Sequence, residues 1–186
     1  MSVADLYWKT IDTVAEVENE YVTVKKNKVQ LPNGEVIDDF YTVKIQDASL
    51  IVALTQENKI LLKTEYRYAC QENVIECPAG MIDNDEFPEV AAKRELLEET
   101  GYSTDDWTYL GATWESTSKL TNNMHLFLAR NCIKINSQLL DKNEHLEVFE
   151  IDFEEAVKLV MSGKINANSS AHAILKVAEL RRKENI

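Results

Sequence analysis

The chain lacks a long apolar run. The longest, Leu50–Leu54, is far too short to span a bilayer, which takes about 20 residues, so no membrane partner is expected. The N-terminal stretch MSVADLYWKTIDTVAEVE is acidic and has no apolar stretch of the kind a secretory signal needs. Cysteine is scarce: Cys70, Cys77 and Cys132 make an odd number without CxxC spacing. That argues against a disulfide framework or a zinc site and for a reducing, cytoplasmic setting. There is no block of Lys or Arg, and the net charge is −12, so a sequence-independent nucleic-acid binder is not expected. No repeat, low-complexity tract, Gly/Ser linker or GxSxG motif occurs.

What is present is 186 residues, 45% of them hydrophobic, enough for a domain with a real core. The first half alternates apolar and polar residues in short runs, at 21–25, 28–31, 41–46, 49–55 and 59–64, which read as strands. LPNGE at 31–35 is a turn signal, and Leu50–Leu54 reads as a strand buried on both faces. Pro88 suits the first turn of a helix, with Asp85 and Glu86 close to its start. Ala91, Ala92, Leu96 and Leu97 supply its apolar face, and Gly101 its C-terminal cap. Strands are predicted to return at 107–114, 124–129 and 147–151, and helices at 153–161 and 169–182. The expected fold is α/β, a mixed sheet covered by helices.

Within the central helix, Glu95, Glu98 and Glu99 are related as i, i+3 and i+4 and share one face. Three carboxylates there form a hard, oxygen-rich site of the kind Mg²⁺ or Mn²⁺ prefers. Arg94 stands beside them, placed to pair with Glu86 and pin the preceding loop. Taken alone, such a face is more often that of a solvated surface helix.

The wider spacing decides between the two. Gly80, five residues, Glu86, seven residues, then Arg94-Glu95-Leu96-x-Glu98-Glu99-x-Gly101-Tyr102 resembles the signature of the Nudix hydrolases, Gly-x5-Glu-x7-Arg-Glu-U-x-Glu-Glu-x-Gly-U, where U is bulky and apolar. Nine fixed positions in a 23-residue window are met, with Tyr102 a mild departure at the last. The resemblance implies a Nudix-type α/β/α sandwich over residues 48–186, with the box at 80–102. It also implies an N-terminal antiparallel β extension over 1–47 that serves dimerisation and base binding. The implied activity is hydrolysis of a nucleoside diphosphate linked to another group. A diphosphate bridge carries charge that repels the attacking water, and metal ions neutralise it and lower the pKa of water.

ILLKTEYRYACQENVIECPAGMID (60–83) is similar to the ADP-ribose pyrophosphatase branch, which acts on nucleoside diphosphate sugars. By that resemblance Arg67 contacts substrate phosphate, for which Arg is suited. The Ala79 carbonyl completes the metal shell beside Glu95, Glu98 and Glu99, and Glu76 reaches the metal or substrate through water. A late-loop acid, Glu144 in NEHLEVFEI or else Glu147, is the base that takes the proton from water. Tyr21 and Phe40 are the aromatics that stack the nucleobase, in some relatives across a homodimer interface. Ser118-Lys119 stands where that branch commonly has Pro-Gly, which points away from ADP-ribose itself more than from nucleotide sugars generally. His125 reads as a structural histidine. Two alternatives stay open: another nucleotide substrate, or a nucleotide-sugar sensor that binds without cleaving. The intact carboxylate set, and the end of the chain soon after the core, weigh against the sensor.

Overall fold

A computed structural model describes residues 6–184. The chain divides into two units, one of residues 6–46 with 114–122, the other of 47–113 with 123–184. Residues 114–122 join the first unit. There Val43 N–H donates to the Lys119 carbonyl (2.8 Å) and Thr121 N–H to that of Val43 (3.1 Å). Pairing between segments so far apart in the chain has no local sequence signal.

The first unit is an antiparallel sheet, β1 (Lys9–Glu18), β2 (Thr23–Gln30) and β3 (Val36–Lys44), in that order. β1 was not foreseen. All ten of its residues are exposed, so it carries no inward-facing apolar row. The two runs read at 21–25 and 28–31 are one strand, whose pairing with β3 slips between Asn27 and Val29. Such a bulge breaks the period-2 pattern. The turn at 31–35 is as expected, with Gly34 N–H donating to the Leu31 carbonyl (2.9 Å) at φ 89°.

The second unit holds β4 (Ala48–Thr55), β5 (Lys59–Arg67), β6 (Glu72–Glu76), β7 (Ala79–Met81), α1 (Pro88–Thr100), β8 (Tyr102–Ser103), β9 (Asp106–Trp114), β10 (Asn123–Lys134), β11 (Leu146–Asp152), α2 (Phe153–Met161) and α3 (Asn168–Glu184). The sheet runs β11-β5-β4-β10-β8, with β6 beside β5, β7 beside β4 and β9 beside β10. Only the β4–β10 contact is parallel among the pairs that build this path, so the sheet is mixed, as expected. β6, β7 and β8, of two to five residues, are too short for periodicity to reveal.

β4 is buried on both faces because it lies between two cores. Leu50, Val52 and Leu54 join Phe153 and Ala156 of α2 and Ala173, Ile174 and Val177 of α3. Ile51 and Ala53 join Leu61, Phe127 and, from α1, Ala92 and Leu96. This is the α/β/α sandwich read from the sequence. Each large aliphatic side chain so buried contributes about 1.5–3 kcal/mol. Among the described residues no helix is long and apolar enough to cross a membrane.

The site is positioned by a divergence in this sheet. β4 and β5 pair only at Ala53/Leu61 and Leu54/Ile60. Beyond that point β6 runs along β5 and β7 along β4, and Ile51 N–H donates to the Pro78 carbonyl (2.9 Å). Residues 76–81 are thereby wedged into the split, beneath the helix that follows.

Candidate active site

α1 begins with Pro88 in its first turn and has no side-chain cap. The Pro88 carbonyl accepts a hydrogen bond from Ser49 Oγ (2.8 Å), tying the helix start to the sheet. It ends at Gly101, whose φ of 76° is the left-handed cap and whose N–H donates to Leu97 O (2.8 Å). A Cβ at Gly101 would lie 2.1 Å from the Asn136 carbonyl oxygen, so only glycine fits.

The last carbonyls of a helix lack partners within it. Here the loop 135–139 supplies them: Leu139 N–H donates to Glu98 O (2.8 Å), Gln138 Nε2 to Glu99 O (2.7 Å), and the amides of Ile135 and Asn136 to Gly101 O. The chain then turns through Asp141, where Glu144 Oε2 accepts from Asp141 N (2.9 Å) and Glu144 N–H donates to Asp141 O (3.0 Å). The loop acid is thus fastened to the helix it was expected to serve.

A cleft of about 450 Å³ collects Glu95, Glu98, Glu99, Arg94, Ala79, Gly80, Arg67 and Glu144. Glu147 is not among its lining residues. A second cleft, with Tyr66, Asn73 and His145, is lined by both Glu144 and Glu147. Of the two acids weighed in the sequence, Glu144 is the one beside the box carboxylates.

Arg94 is the hub. Its guanidinium donates to both Glu86 oxygens (3.1 and 3.0 Å), to Glu95 (2.6 Å), to Glu98 (3.1 Å) and to the Met81 carbonyl (2.9 Å). Hydrogen bonding from Glu86, then from Glu95 and Glu98, holds its pKa above the usual value, and Arg94 in turn holds Glu86 below the carboxylate range. The loop is pinned to the helix as the spacing implied. Burial pushes Glu95 up, against the pull of Arg94. Gly80 leaves room for that carboxyl: a Cβ there would sit 2.0 Å from it.

Glu99 faces inward. Burial pushes it up to about 7, opposed by Lys63 and by the Ala79 amide, which donates to its Oε2 at 3.0 Å. Its Oε1 is hydrogen-bonded to Lys63 Nζ. Lys63 was missed in the sequence, where a lysine reads as surface. Its position, next after Ile60-Leu61-Leu62 on a strand, was the available signal. Burial pulls its pKa down, but Glu99 and then Glu65 more than offset this, and the net shift is up.

From Lys63 a row of alternating charge runs along β5, since residues 63, 65 and 67 point to one side of a strand. Lys63 lies 3.2 Å from Glu65, Glu65 3.0 Å from Arg67, and Arg67 donates to Glu76 through Nε (2.9 Å) and Nη2 (2.6 Å). Arg67 lines the cleft as expected, but already holds two carboxylates. Glu76 grips Arg67 and is not among the cleft-lining residues.

The two stacking candidates lie in the first unit. Tyr21 is exposed, in a turn before β2 rather than in a strand, where Asn19 Oδ1 accepts from its N–H (2.9 Å). Phe40 is on β3 with Trp8 edge-on at 5.4 Å and Lys119 Nζ over its ring at 4.4 Å. His125 is partnered by Tyr109 Oη (3.0 Å) and lies near Asp47 (3.8 Å), as its structural reading implied.

Seven carboxylates line the cleft (those named and Glu65, Asp83 and Asp141) against three cations, Lys63, Arg67 and Arg94. That surplus of hard anionic oxygens fits a divalent ion of the Mg²⁺ or Mn²⁺ type. Among the described residues no three acids already stand as a ligand set, because Arg94 spans Glu95 and Glu98 while Glu99 turns to Lys63.

Comparison with known proteins agrees with this geometry. Residues 44–172 match the model of the NUDIX domain. An ADP-ribose pyrophosphatase of Bacillus subtilis (strain 168) is 33% identical over 167 residues, covering 89% of this chain and 90% of its own. A methanol dehydrogenase activator of Bacillus methanolicus is 30% identical over the same shares. A GDP-mannose pyrophosphatase of Salmonella paratyphi B (strain ATCC BAA-1250 / SPB7) is 29% identical, over 80% of this chain and 84% of its own. The crystal structure of an ADP compounds hydrolase superposes with a TM-score of 0.81 over 95% of each chain at 20% identity, so the fold is shared. With the carboxylate helix, its glycine cap and its arginine hub in place, the chain belongs to the Nudix hydrolase family.

Proposed function

We propose that this protein is a Mg²⁺-dependent pyrophosphohydrolase that cleaves a nucleoside diphosphate sugar, of the ADP-ribose kind, into a nucleoside monophosphate and a sugar phosphate. The observation that carries the reading is the single cleft in which box carboxylates, a loop acid and Arg67 meet. Similarity over 80–89% of this chain to proteins named for ADP-ribose and GDP-mannose pyrophosphatase activity supports the substrate class.

Glu95, Glu98 and Glu99, with the Ala79 carbonyl, are the metal-holding set, and Mn²⁺ substitutes for Mg²⁺. The ion, when bound, supplies neutralisation of the diphosphate and acidification of water. Arg94, braced by Glu86, keeps the carboxylates apart and aimed until the ion enters. Glu144 is the base that accepts the proton of the attacking water; its carboxylate is tied on one oxygen only by a backbone amide, leaving acceptor capacity. Glu147 is the fallback for that role. Arg67, with Glu76 and Glu65 fixing its plane, offers its guanidinium to substrate phosphate. Tyr21 and Phe40 stack the base, in a homodimer built through the N-terminal sheet. Ile11, Val14 and Val17 of β1 are exposed there, as a strand awaiting a partner would leave them. The setting is the cytoplasm.

Phosphate release through a coupled phosphatase, across a panel of nucleoside diphosphate sugars with Mg²⁺, tests the proposal. Cleavage of at least one to a nucleoside monophosphate is expected. Tight binding without product after prolonged incubation with Mg²⁺ and Mn²⁺ contradicts it and favours a sensor. Cleavage confined to triphosphates or dinucleotides contradicts the substrate class alone.

A further inference from the structure

Glu144 sits near the end of a connection that should be loose. Residues 135–145, between β10 and β11, form neither helix nor strand, and a segment of that kind moves unless its backbone is held. Its first residues are held at Gly101, to whose carbonyl the Ile135 and Asn136 amides donate. Its middle is held at Glu98 and Glu99, two of the residues whose side chains line the cleft. Leu139 N–H donates to the Glu98 carbonyl (2.8 Å), and Gln138 Nε2 to that of Glu99 (2.7 Å). Among the described residues, Gln138 supplies the only side chain in this clasp. It is exposed, as are its neighbours Ser137 and Leu139, so no packed core fixes the segment there. Leu140 then leads to Asp141, whose N–H is hydrogen-bonded to the Glu144 carboxylate (2.9 Å). A short strut thus joins the backbone of two box glutamates to the carboxylate of the loop acid.

We propose that Gln138 is a positioning residue for the hydrolysis. Its amide ties the loop to the last turn of α1, and so sets where the Glu144 carboxylate stands relative to the box carboxylates. The inference rests on the reading of Glu144 as the base and extends it: the helix that gathers the acids also places the base, through a bond at its own end. A donor at a helix end ordinarily serves the helix, by satisfying a carbonyl that lacks a partner. Here the donor belongs to the catalytic loop. When it is lost, α1 keeps its Gly101 cap and its apolar face, and the loop is what comes free. A catalytic group misplaced by about 1 Å can lose about 10²-fold in rate, so a bond that touches no substrate still bears on turnover.

The test is Gln138→Met in the full chain, which keeps the length of the side chain and removes the donor. On a nucleoside diphosphate sugar that the parent cleaves with Mg²⁺, kcat is expected to fall at least fivefold with KM within twofold. Mn²⁺ affinity, followed by electron paramagnetic resonance of the free ion, is expected within twofold of the parent. A smaller fall in kcat overturns the proposal. So does a matching loss of Mn²⁺ affinity, which would mean that the bond serves the helix and its carboxylates. Added to Glu144→Gln, the same substitution is expected to lower kcat by less than twofold more, because it acts through Glu144; a further fivefold fall overturns the proposal. Amide hydrogen exchange needs no turnover. Exchange at Asp141 and Glu144 is expected to quicken at least tenfold in Gln138→Met with α1 unchanged, and unaltered exchange at both overturns the proposal. If Glu144→Gln alone keeps the kcat of the parent, the reading of Glu144 as base fails and this inference with it. If Glu144→Gln is crippled while Gln138→Met is not, this inference alone fails.

Discussion

Along α1, Ala92 and Leu96 meet a wholly apolar cluster, while Glu95, Glu98 and Glu99 meet a cleft lined by seven carboxylates. Burial alone does not separate the two faces. Glu95 is 7% exposed and Glu99 2%, close to the 0% of Leu96. What separates them is what each side chain finds inside: Leu96 finds Leu61 and Phe127, Glu99 finds Lys63 and an amide. One face earns stability by leaving water. The other gives some up at Glu95 and Glu99, whose carboxylates burial lifts above their usual pKa and so disfavours in the charged form; on the proposed function, a bound cation would offset that cost.

The comparison breaks most sharply at Glu98. Glu98→Gln removes a carboxylate that is 40% exposed on its side chain, so turnover should fall by about 10²–10⁴-fold while the thermal midpoint stays unchanged or rises; steady-state kinetics and calorimetry on one preparation check both. On the opposite face, Leu96→Ala should cost about 2–5 kcal/mol of stability, read by denaturant unfolding, with the activity of the folded fraction kept. If the two variants exchanged phenotypes, the division of labour would be wrong. Where the faces meet at the helix end, Gly101→Ala should cost about 1–3 kcal/mol, because the left-handed φ and the Asn136 carbonyl both exclude a Cβ.

The smallest effect is a thiol count. Cys132 lies in the cluster beneath Leu96, and burial pushes its thiol, like that of Cys77, up to about 12. Both are neutral at pH 8, so only the exposed Cys70 should react there with a disulfide reagent, rising to three on unfolding. The sign for stability follows. These thiols cost nothing below roughly pH 8.5, where an unfolded thiol is also protonated. Above it the unfolded chain gains by ionising, so stability falls as pH rises toward 12. In Leu96→Ala, Cys132 should react earlier than in the parent.

Much of this was legible in the chain. The box helix, its proline start and its Gly101 cap followed from local chemistry, and β4 from a run of five apolar residues. The Arg94–Glu86 pair followed from spacing alone. β1 was not legible, because ten exposed residues leave no periodicity to find. Nor was the joining of residues 114–122 to β3, which includes two backbone hydrogen bonds between segments far apart in sequence. Lys63 stayed hidden for a different reason. A lysine on a strand signals solvent unless its partner, here 36 residues away on another element, is known. The Arg67–Glu76 clasp escaped similarly: each residue was read as reaching for a ligand, and across the β5–β6 pair they reach for each other.

The most direct test of the central claim is a crystal soaked in Mn²⁺ with data collected at the manganese edge. The account predicts an anomalous peak within coordination distance of Glu95 and Glu98, with Arg94 drawn back from both. A peak elsewhere in the molecule, or none while Arg94 stays bound between the two carboxylates, would contradict it.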